Sequence, residues 1–188
     1  KKVNAIAFEF IVDEYRQLSL VRLIGEIAGN VAVLYAAELL ALSNGLMLGG
    51  ITGVRPTEVV ILGAGIVGEF ATKAALGLGA SVKVFDNSLS KLRRLHMMVD
   101  GRVPTSIIDP KELNKSLKRA DVVIGAFSKY SAFPVITKEM VMGMKKGSVI
   151  IDVTIDNSNV IETSELTDME NPFVVKYGVI HSGLPNLT

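Results

Sequence analysis

One short segment constrains the fold of this chain more than any other. Residues 59–62 form a run of four apolar residues, and a Gly-x-Gly-x-x-Gly turn follows them directly, with helix-forming residues behind it. A buried strand, a tight glycine turn and a helix whose N-terminus faces that turn are typical of a dinucleotide-binding unit. The turn consists of Gly63, Ala64, Gly65, Ile66, Val67 and Gly68.

The three glycines and one acid carry separate parts of this prediction. Gly63 permits the tight turn, Gly65 leaves room for a pyrophosphate, and Gly68 lets the helix pack closely on the strand. Asp86 ends the next strand-like run, at close to the spacing expected of the acid that binds the adenosine ribose hydroxyls. Its carboxylate would repel a 2′-phosphate, so the pattern favours NAD over NADP. An alternative role for Asp86 is an acid that opens the following helix.

Short apolar strands alternate with helices through the rest of the chain, which predicts an α/β fold of the Rossmann type with a doubly wound parallel sheet. The ligand crevice should lie where the strand order reverses, beside the loops after residues 62, 126 and 153. Strands are predicted at residues 59–62, 81–85, 102–107, 121–126, 148–153 and 173–180, and helices at residues 66–78, 88–98, 111–119 and 137–144, with Ser88 as an N-cap.

A predicted loop rich in glycine and proline, residues 45–56, divides the chain into two parts. A strand is predicted at residues 3–10 and a long helix at 18–42. Residues 1–44 are therefore expected to be the end of another domain and a connecting helix, and residues 45–188 the NAD-binding domain.

The predicted helix at 18–42 is long enough to span a bilayer, but it carries a polar stripe that argues against membrane insertion. The stripe consists of Arg22, Glu26, Asn30 and Glu38. Small residues on the apolar face would let another backbone approach closely; they are Gly25, Ala28, Gly29, Ala32, Ala36 and Ala37. We expect this helix to lie in a domain or subunit interface, and the protein to form a homo-oligomer.

Composition excludes several classes of function. The chain has 20 basic and 19 acidic residues, so it lacks the charge excess used to bind nucleic acid. It has no cysteine, and its two histidines are His96 and His181, which argues against disulfides and against a zinc or other metal site. The N-terminus lacks the pattern of a signal peptide, so a cytoplasmic location is expected.

Several ordered motifs resemble one enzyme family. They are EIAGNVAVLYAAELL, VVILGAGIVGEFATKAALGLGASVKVFD with KLRRL behind it, KRADVVIGA, MKKGSVIIDVTID and GVIHSGLPN. Together they are similar to alanine dehydrogenase and to the related NAD-binding part of proton-translocating transhydrogenase, over nearly the whole chain. Saccharopine dehydrogenase is a weaker match.

This resemblance implies a function and a set of site residues. The resemblance to alanine dehydrogenase implies the conversion of L-alanine, NAD and water to pyruvate, ammonium and NADH, and Asp156 matches the acid that faces the nicotinamide and helps to position the substrate. The family's substrate-binding Arg and Lys and its catalytic His fall outside this chain, and neither His96 nor His181 replaces the latter. The residues expected to bind the cofactor are those of the glycine turn, Asp86, Asn87, Lys91, Ala126, Phe127, Ile155, Asp156 and Asn186.

The chain also departs from the family at two loops near the predicted site. Asn157, Ser158 and Asn159 replace the family's Gln-Gly-Gly, and residues 127–134 replace a longer loop, in which Lys129 receives no role. Lys91 could reach the adenosine or simply face solvent. Three functions therefore stay open: an amino-acid dehydrogenase, a transhydrogenase subunit, and a non-catalytic NAD-binding module.

Overall fold

The structure is a computed structural model, which describes residues 4, 6–16, 18–127, 134–156 and 159–185. A 3₁₀ helix at Phe8–Phe10 precedes the regular elements. The helices are α1 Ser19–Asn44, α2 Ile66–Gly77, α3 Leu89–Met98, α4 Pro110–Leu117 and α5 Lys138–Met142. The strands are β1 Glu58–Leu62, β2 Ser81–Asp86, β3 Thr105–Ile107, β4 Val122–Gly125, β5 Val149–Asp152, β6 Val174–Lys176 and β7 Val179–Ser182.

The strands form one sheet of seven in the order β3-β2-β1-β4-β5-β7-β6. All neighbouring pairs are parallel except β6 and β7, which are antiparallel. The chain order reverses between β1 and β4, so the loops after β1, β4 and β5 meet at the carboxyl edge of the sheet. This arrangement confirms the doubly wound fold expected from the alternating pattern, and it brings together the ends of the strands beside which the ligand crevice is predicted.

Helices cover both faces of the sheet because each central strand is apolar on both sides. In β1, Val59 and Ile61 join one core together with residues of α1, α2 and α3. Val60 and Leu62 join the other core, with residues of α4 and α5. Ser88 caps α3 by accepting a hydrogen bond from the Lys91 amide, as predicted.

The small residues of α1 pack against α2 within the same chain. A Cβ placed on Gly29 would lie 2.4 Å from the carbonyl oxygen of Val67, so only glycine permits this crossing. Ala32 and Ala36 are fully buried. The small-residue face of α1 therefore packs on α2, which the predicted division places in the nucleotide-binding domain, and the expected interface of α1 with another subunit stays a prediction.

The opposite face of α1 is apolar and exposed. Its exposed side chains include Leu20, Leu23, Ile24, Ile27 and Leu34. Arg22 and Glu26 of the polar stripe form an ion pair of 2.9 Å. Among the described residues, α1 alone is long and apolar enough to cross a membrane by length and composition, and 44% of its most apolar stretch is buried inside the protein.

Two predicted strands differ in the structure. The strand predicted at residues 3–10 is wrong over its described part, since Phe8–Phe10 forms a 3₁₀ helix, and none of the strands in the described part of the chain pairs with it. The single strand at 173–180 is instead the hairpin of β6 and β7. Tyr177 and Gly178 both have positive φ, 56° and 80°, which makes the tight turn between them.

Candidate nucleotide-binding site

The glycine turn after β1 is constrained by close backbone contacts. Gly63 has a φ of 106°, and a Cβ there would lie 2.4 Å from the carbonyl oxygen of Ala126 in the loop after β4. A Cβ on Gly68 would lie 1.8 Å from the carbonyl oxygen of Gly63. Neither position tolerates a side chain, so both glycines are needed to bring β1, β4 and α2 together.

Gly65 differs from these glycines because the space beside it is open. A Cβ built on Gly65 would meet no atom within 4 Å, although the residue lies at the N-terminus of α2. The first amide groups of a helix have no partner within the helix and favour a negative charge. The backbone here therefore fits a pyrophosphate that approaches over Gly65.

The other residues of the turn have structural contacts of their own. Ile66 and Val67 turn their side chains toward Gly25 of α1, with the Ile66 Cγ2 atom 3.0 Å from where a Cβ on Gly25 would stand. Ala64 is fully buried. A cofactor would therefore meet Ile66 and Val67 through their backbones.

Asp86 is almost completely buried, with 1% of its surface exposed. Its Oδ2 atom accepts a hydrogen bond of 2.7 Å from the Ala64 amide, and its Oδ1 atom accepts one of 2.7 Å from the Ser88 amide. The carboxylate thus joins the glycine turn to the start of α3. Each oxygen can accept a second bond, so the two predicted roles of Asp86, helix opening and ribose binding, are compatible.

A cavity of about 110 Å³ lies directly beside Asp86. This volume is below the usual range for a whole ligand, which suits one part of a dinucleotide such as a ribose. The cavity brings together six of the predicted cofactor-binding residues, and Ser88 joins them; its lining consists of Gly65, Asp86, Asn87, Ser88, Lys91, Ala126 and Phe127.

Sequence reasoning missed one contact at this site. The Arg94 Nη2 atom donates a hydrogen bond of 3.3 Å to the carbonyl oxygen of Ala64. Arg94 lies one turn after Lys91 on α3, so the (i, i+3) spacing in the predicted helix was the available signal. Together with Asp86, this bond satisfies both backbone polar groups of Ala64 and holds the turn from two sides.

The predicted reactive end lies at the loop after β5. Asp156 is exposed, at the end of a turn that begins at Val153. Ile155 lines a second cavity of about 280 Å³ with Pro134, Asn159, Ile161, Glu162 and Ser164. Asn186, Lys129, Asn157 and Ser158 lie outside the described residues, so the contribution of Asn186 stays a prediction.

Neither histidine is placed to act as a general acid or base in the crevice. His181 is buried, its Nδ1 donates to the carbonyl of Val179 at 3.0 Å, and its Nε2 lies 2.8 Å from the Thr163 hydroxyl. Burial lowers the pKa of His181 and keeps it neutral. His96 is exposed in the last turn of α3. Within the described part of the chain, no group of three or more His, Cys, Asp or Glu side chains could hold a metal ion.

Residues 32–188 match the family model described as alanine dehydrogenase/PNT, C-terminal domain. The chain belongs to this family. The family and its alanine dehydrogenase members imply a nicotinamide nucleotide as the cofactor, and the open backbone at Gly65 fits such a group.

Known members of the family are similar over the whole chain. Alanine dehydrogenase of Methanococcus maripaludis is 37% identical over 193 aligned positions, which cover 100% of this chain and 52% of that protein. A solved L-alanine dehydrogenase has a TM-score of 0.88 and 36% identity, and the match covers 96% of this chain and 51% of that one.

A transhydrogenase from Sinorhizobium meliloti shares the fold, with a TM-score of 0.71 and 23% identity over 89% of this chain and 48% of that one. This chain therefore spans about half the length of the alanine dehydrogenases that it matches.

Proposed function

We propose that this chain is the NAD-binding part of an amino-acid dehydrogenase of the alanine dehydrogenase type. The reaction converts L-alanine, NAD and water to pyruvate, ammonium and NADH. The observation that carries the proposal is the 37% identity to an alanine dehydrogenase over the whole of this chain. The transhydrogenase alternative has weaker support, since its similarity of 23% extends to the fold alone.

The protein's part in this reaction is to bind and orient the dinucleotide. Gly65 and the N-terminus of α2 would receive the pyrophosphate, and Asp86 would accept hydrogen bonds from the adenosine ribose. Asp156 would face the nicotinamide end and help to position the substrate. When bound, the dinucleotide supplies the hydride acceptor at its nicotinamide ring.

The preference for NAD over NADP rests on the charge of Asp86. A 2′-phosphate would approach a carboxylate that is already buried and held by two backbone amides, so it could not move away to relieve the repulsion. Lys91 borders the same cavity and would offset only part of this repulsion.

Three further proposals concern the protein as a whole. Residues 1–44 would be the end of a substrate domain and its connecting helix, and residues 45–188 the nucleotide-binding domain. The exposed face of α1 would lie in an interface of a homo-oligomer, because an apolar face of this size is uncommon on a monomer. The enzyme would act in the cytoplasm, without membrane insertion or nucleic acid.

Two measurements on the isolated chain test the function. Calorimetric titration should detect binding of NADH, whereas a coupled assay with alanine, or with pyruvate and ammonium, should detect no turnover, because the substrate-anchoring groups would lie outside this chain. Absence of NADH binding would refute the proposal. Robust turnover by the chain alone would show that its own residues supply the acid–base chemistry.

A further inference from the structure

Asp152 ends β5 at the crevice edge of the sheet and has 1% of its surface exposed. Its Oδ1 atom lies 3.1 Å from the amide nitrogen and 3.3 Å from the hydroxyl oxygen of Thr154, both of which donate to it. The side chain therefore folds over the turn that follows its own strand. Asp156, the acid proposed to face the nicotinamide, is at the end of that turn.

The other oxygen of Asp152 has a different environment. Its Oδ2 atom is buried and has no hydrogen-bond partner among the described residues, and the same is true of the Ser164 Oγ atom. The Ser164 hydroxyl is nonetheless close enough to lower the pKa of Asp152. Gly125 makes room for the carboxyl group, since a Cβ there would lie 3.3 Å from Asp152 Oδ1.

The charges around Asp152 favour its neutral form. Burial raises its pKa most, and the negative charge of Asp156 raises it further, whereas the hydroxyl and amide groups of Ser164 and Thr154 lower it. Within the part of the chain that the structure describes, no cation is among the groups that shift its pKa. On neighbouring β7, His181 is kept neutral by burial. On the facing loop, Glu165 is paired with Lys176, and Glu162 accepts from the Lys138 amide.

We propose that Asp152 is a positioning residue whose protonated carboxyl group accepts from Thr154 through Oδ1, donates to Ser164 through Oδ2, and so holds the turn that presents Asp156. Protonation makes Oδ2 a hydrogen-bond donor, and the Ser164 Oγ atom can then accept this bond. A buried acid with no cation beside it is far less costly when neutral. The link to Asp156 rests on the proposed function, but the state of Asp152 does not.

The pH dependence of unfolding tests the protonated state. A carboxyl group whose pKa is raised in the folded protein adds most to stability below its unfolded pKa, here about 3.8, and this contribution is lost as the pH rises through the folded pKa. Asp152→Asn mimics the neutral acid and should lack this loss. Its unfolding constant should therefore fall relative to the wild-type constant as the pH rises from about 3.5 to about 7.5, because only the wild-type protein loses this contribution. Parallel pH curves would overturn the proposal.

A second set of measurements tests positioning. Asp152→Asn should retain the Thr154 amide NMR signal and the NADH affinity, whereas Asp152→Ala should shift that signal and weaken NADH binding about tenfold, as expected for the loss of about 1.4 kcal/mol. Asp168→Asn is the matched control, because Asp168 also accepts from nearby amides but on an exposed loop. An unchanged Thr154 signal in Asp152→Ala would refute the positioning role.

The two proposals fail differently. If the wild-type chain does not bind NADH, the proposed function is wrong, yet the unfolding curves and the Thr154 signal still decide the role of Asp152. In addition, difference infrared spectroscopy should show the carbonyl band of a protonated carboxyl group that persists above the pH at which an ordinary aspartic acid ionises and that is absent from Asp152→Asn. Absence of this band in the wild-type protein would overturn the protonated state.

Discussion

Replacing Asp86 by Asn tests the cofactor preference most directly. The carboxylate is buried and accepts hydrogen bonds from the amides of Ala64 and Ser88, each at 2.7 Å. Asn keeps one acceptor oxygen but turns an NH₂ group toward the second amide. A hydrogen bond to a charged group contributes about 1.5–3 kcal/mol, so we expect the free energy of unfolding to fall by about that amount. Asp86→Ala would lose both bonds and is the less informative variant.

The effect on cofactor choice comes from charge. Two unit charges 4 Å apart interact by about 4 kcal/mol near a protein surface, and about 1.4 kcal/mol is a tenfold change in affinity. After screening by solvent and Lys91, the ratio of NADH to NADPH affinity should fall at least tenfold in Asp86→Asn. Calorimetric titration with each nucleotide measures this ratio.

Asp121→Asn is the matched control for this experiment. Asp121 also accepts from a backbone amide, that of Glu58, and also bears a charge, which pairs with Lys145 at 2.6 Å. It lies at the amino end of β4, away from the crevice. The control should lose comparable stability and keep the wild-type nucleotide ratio. If Asp86→Asn leaves the ratio unchanged as well, Asp86 is only a loop-joining acid and the preference for NAD lacks its main support.

Three other substitutions and conditions have distinct expected outcomes. Gly65→Ala should abolish NADH binding, measured by calorimetry, with little loss of stability, because its Cβ would fill the open space over the turn. Gly77→Ala, whose Cβ also meets no atom, is the control and should bind NADH with the wild-type affinity. Equal NADH affinities of the two variants would refute the proposed position of the pyrophosphate. Leu34→Glu on the exposed face of α1, where Leu34 is 61% exposed, should lower the sedimentation mass at micromolar concentration, whereas a wild-type monomer would refute self-association. Because burial lowers the pKa of His181 from 6.5, the unfolded chain binds a proton first as the pH falls. The free energy of unfolding should therefore decrease below about pH 6.5, and an equal decrease in His181→Gln would contradict this assignment.

The elements that were predictable from sequence are those with a local physical cause. The glycine turn could be predicted because positive φ and close approach restrict its residues, and the Ser88 cap because a serine before an apolar helical pattern satisfies an amide of the first turn. The parallel sheet could be predicted from continuous apolar runs. The prediction of a strand at 3–10 was wrong because an apolar run forms a strand only when a partner strand lies beside it.

The amino-acid sequence by itself determined the strand-turn-helix unit, the alternation that produces a doubly wound sheet, and the acid at the end of β2. Only the tertiary structure decided which partners these residues meet. The bonds of Asp86 and Arg94 to Ala64 join residues far apart in the chain, and α2, not another subunit, occupies the small-residue face of α1. The burial of Asp152 beside Gly125 has the same origin. Sequence patterns encode local backbone preference and apolar periodicity, whereas hydrogen-bond partners and burial depend on which loops the folded sheet brings to one edge.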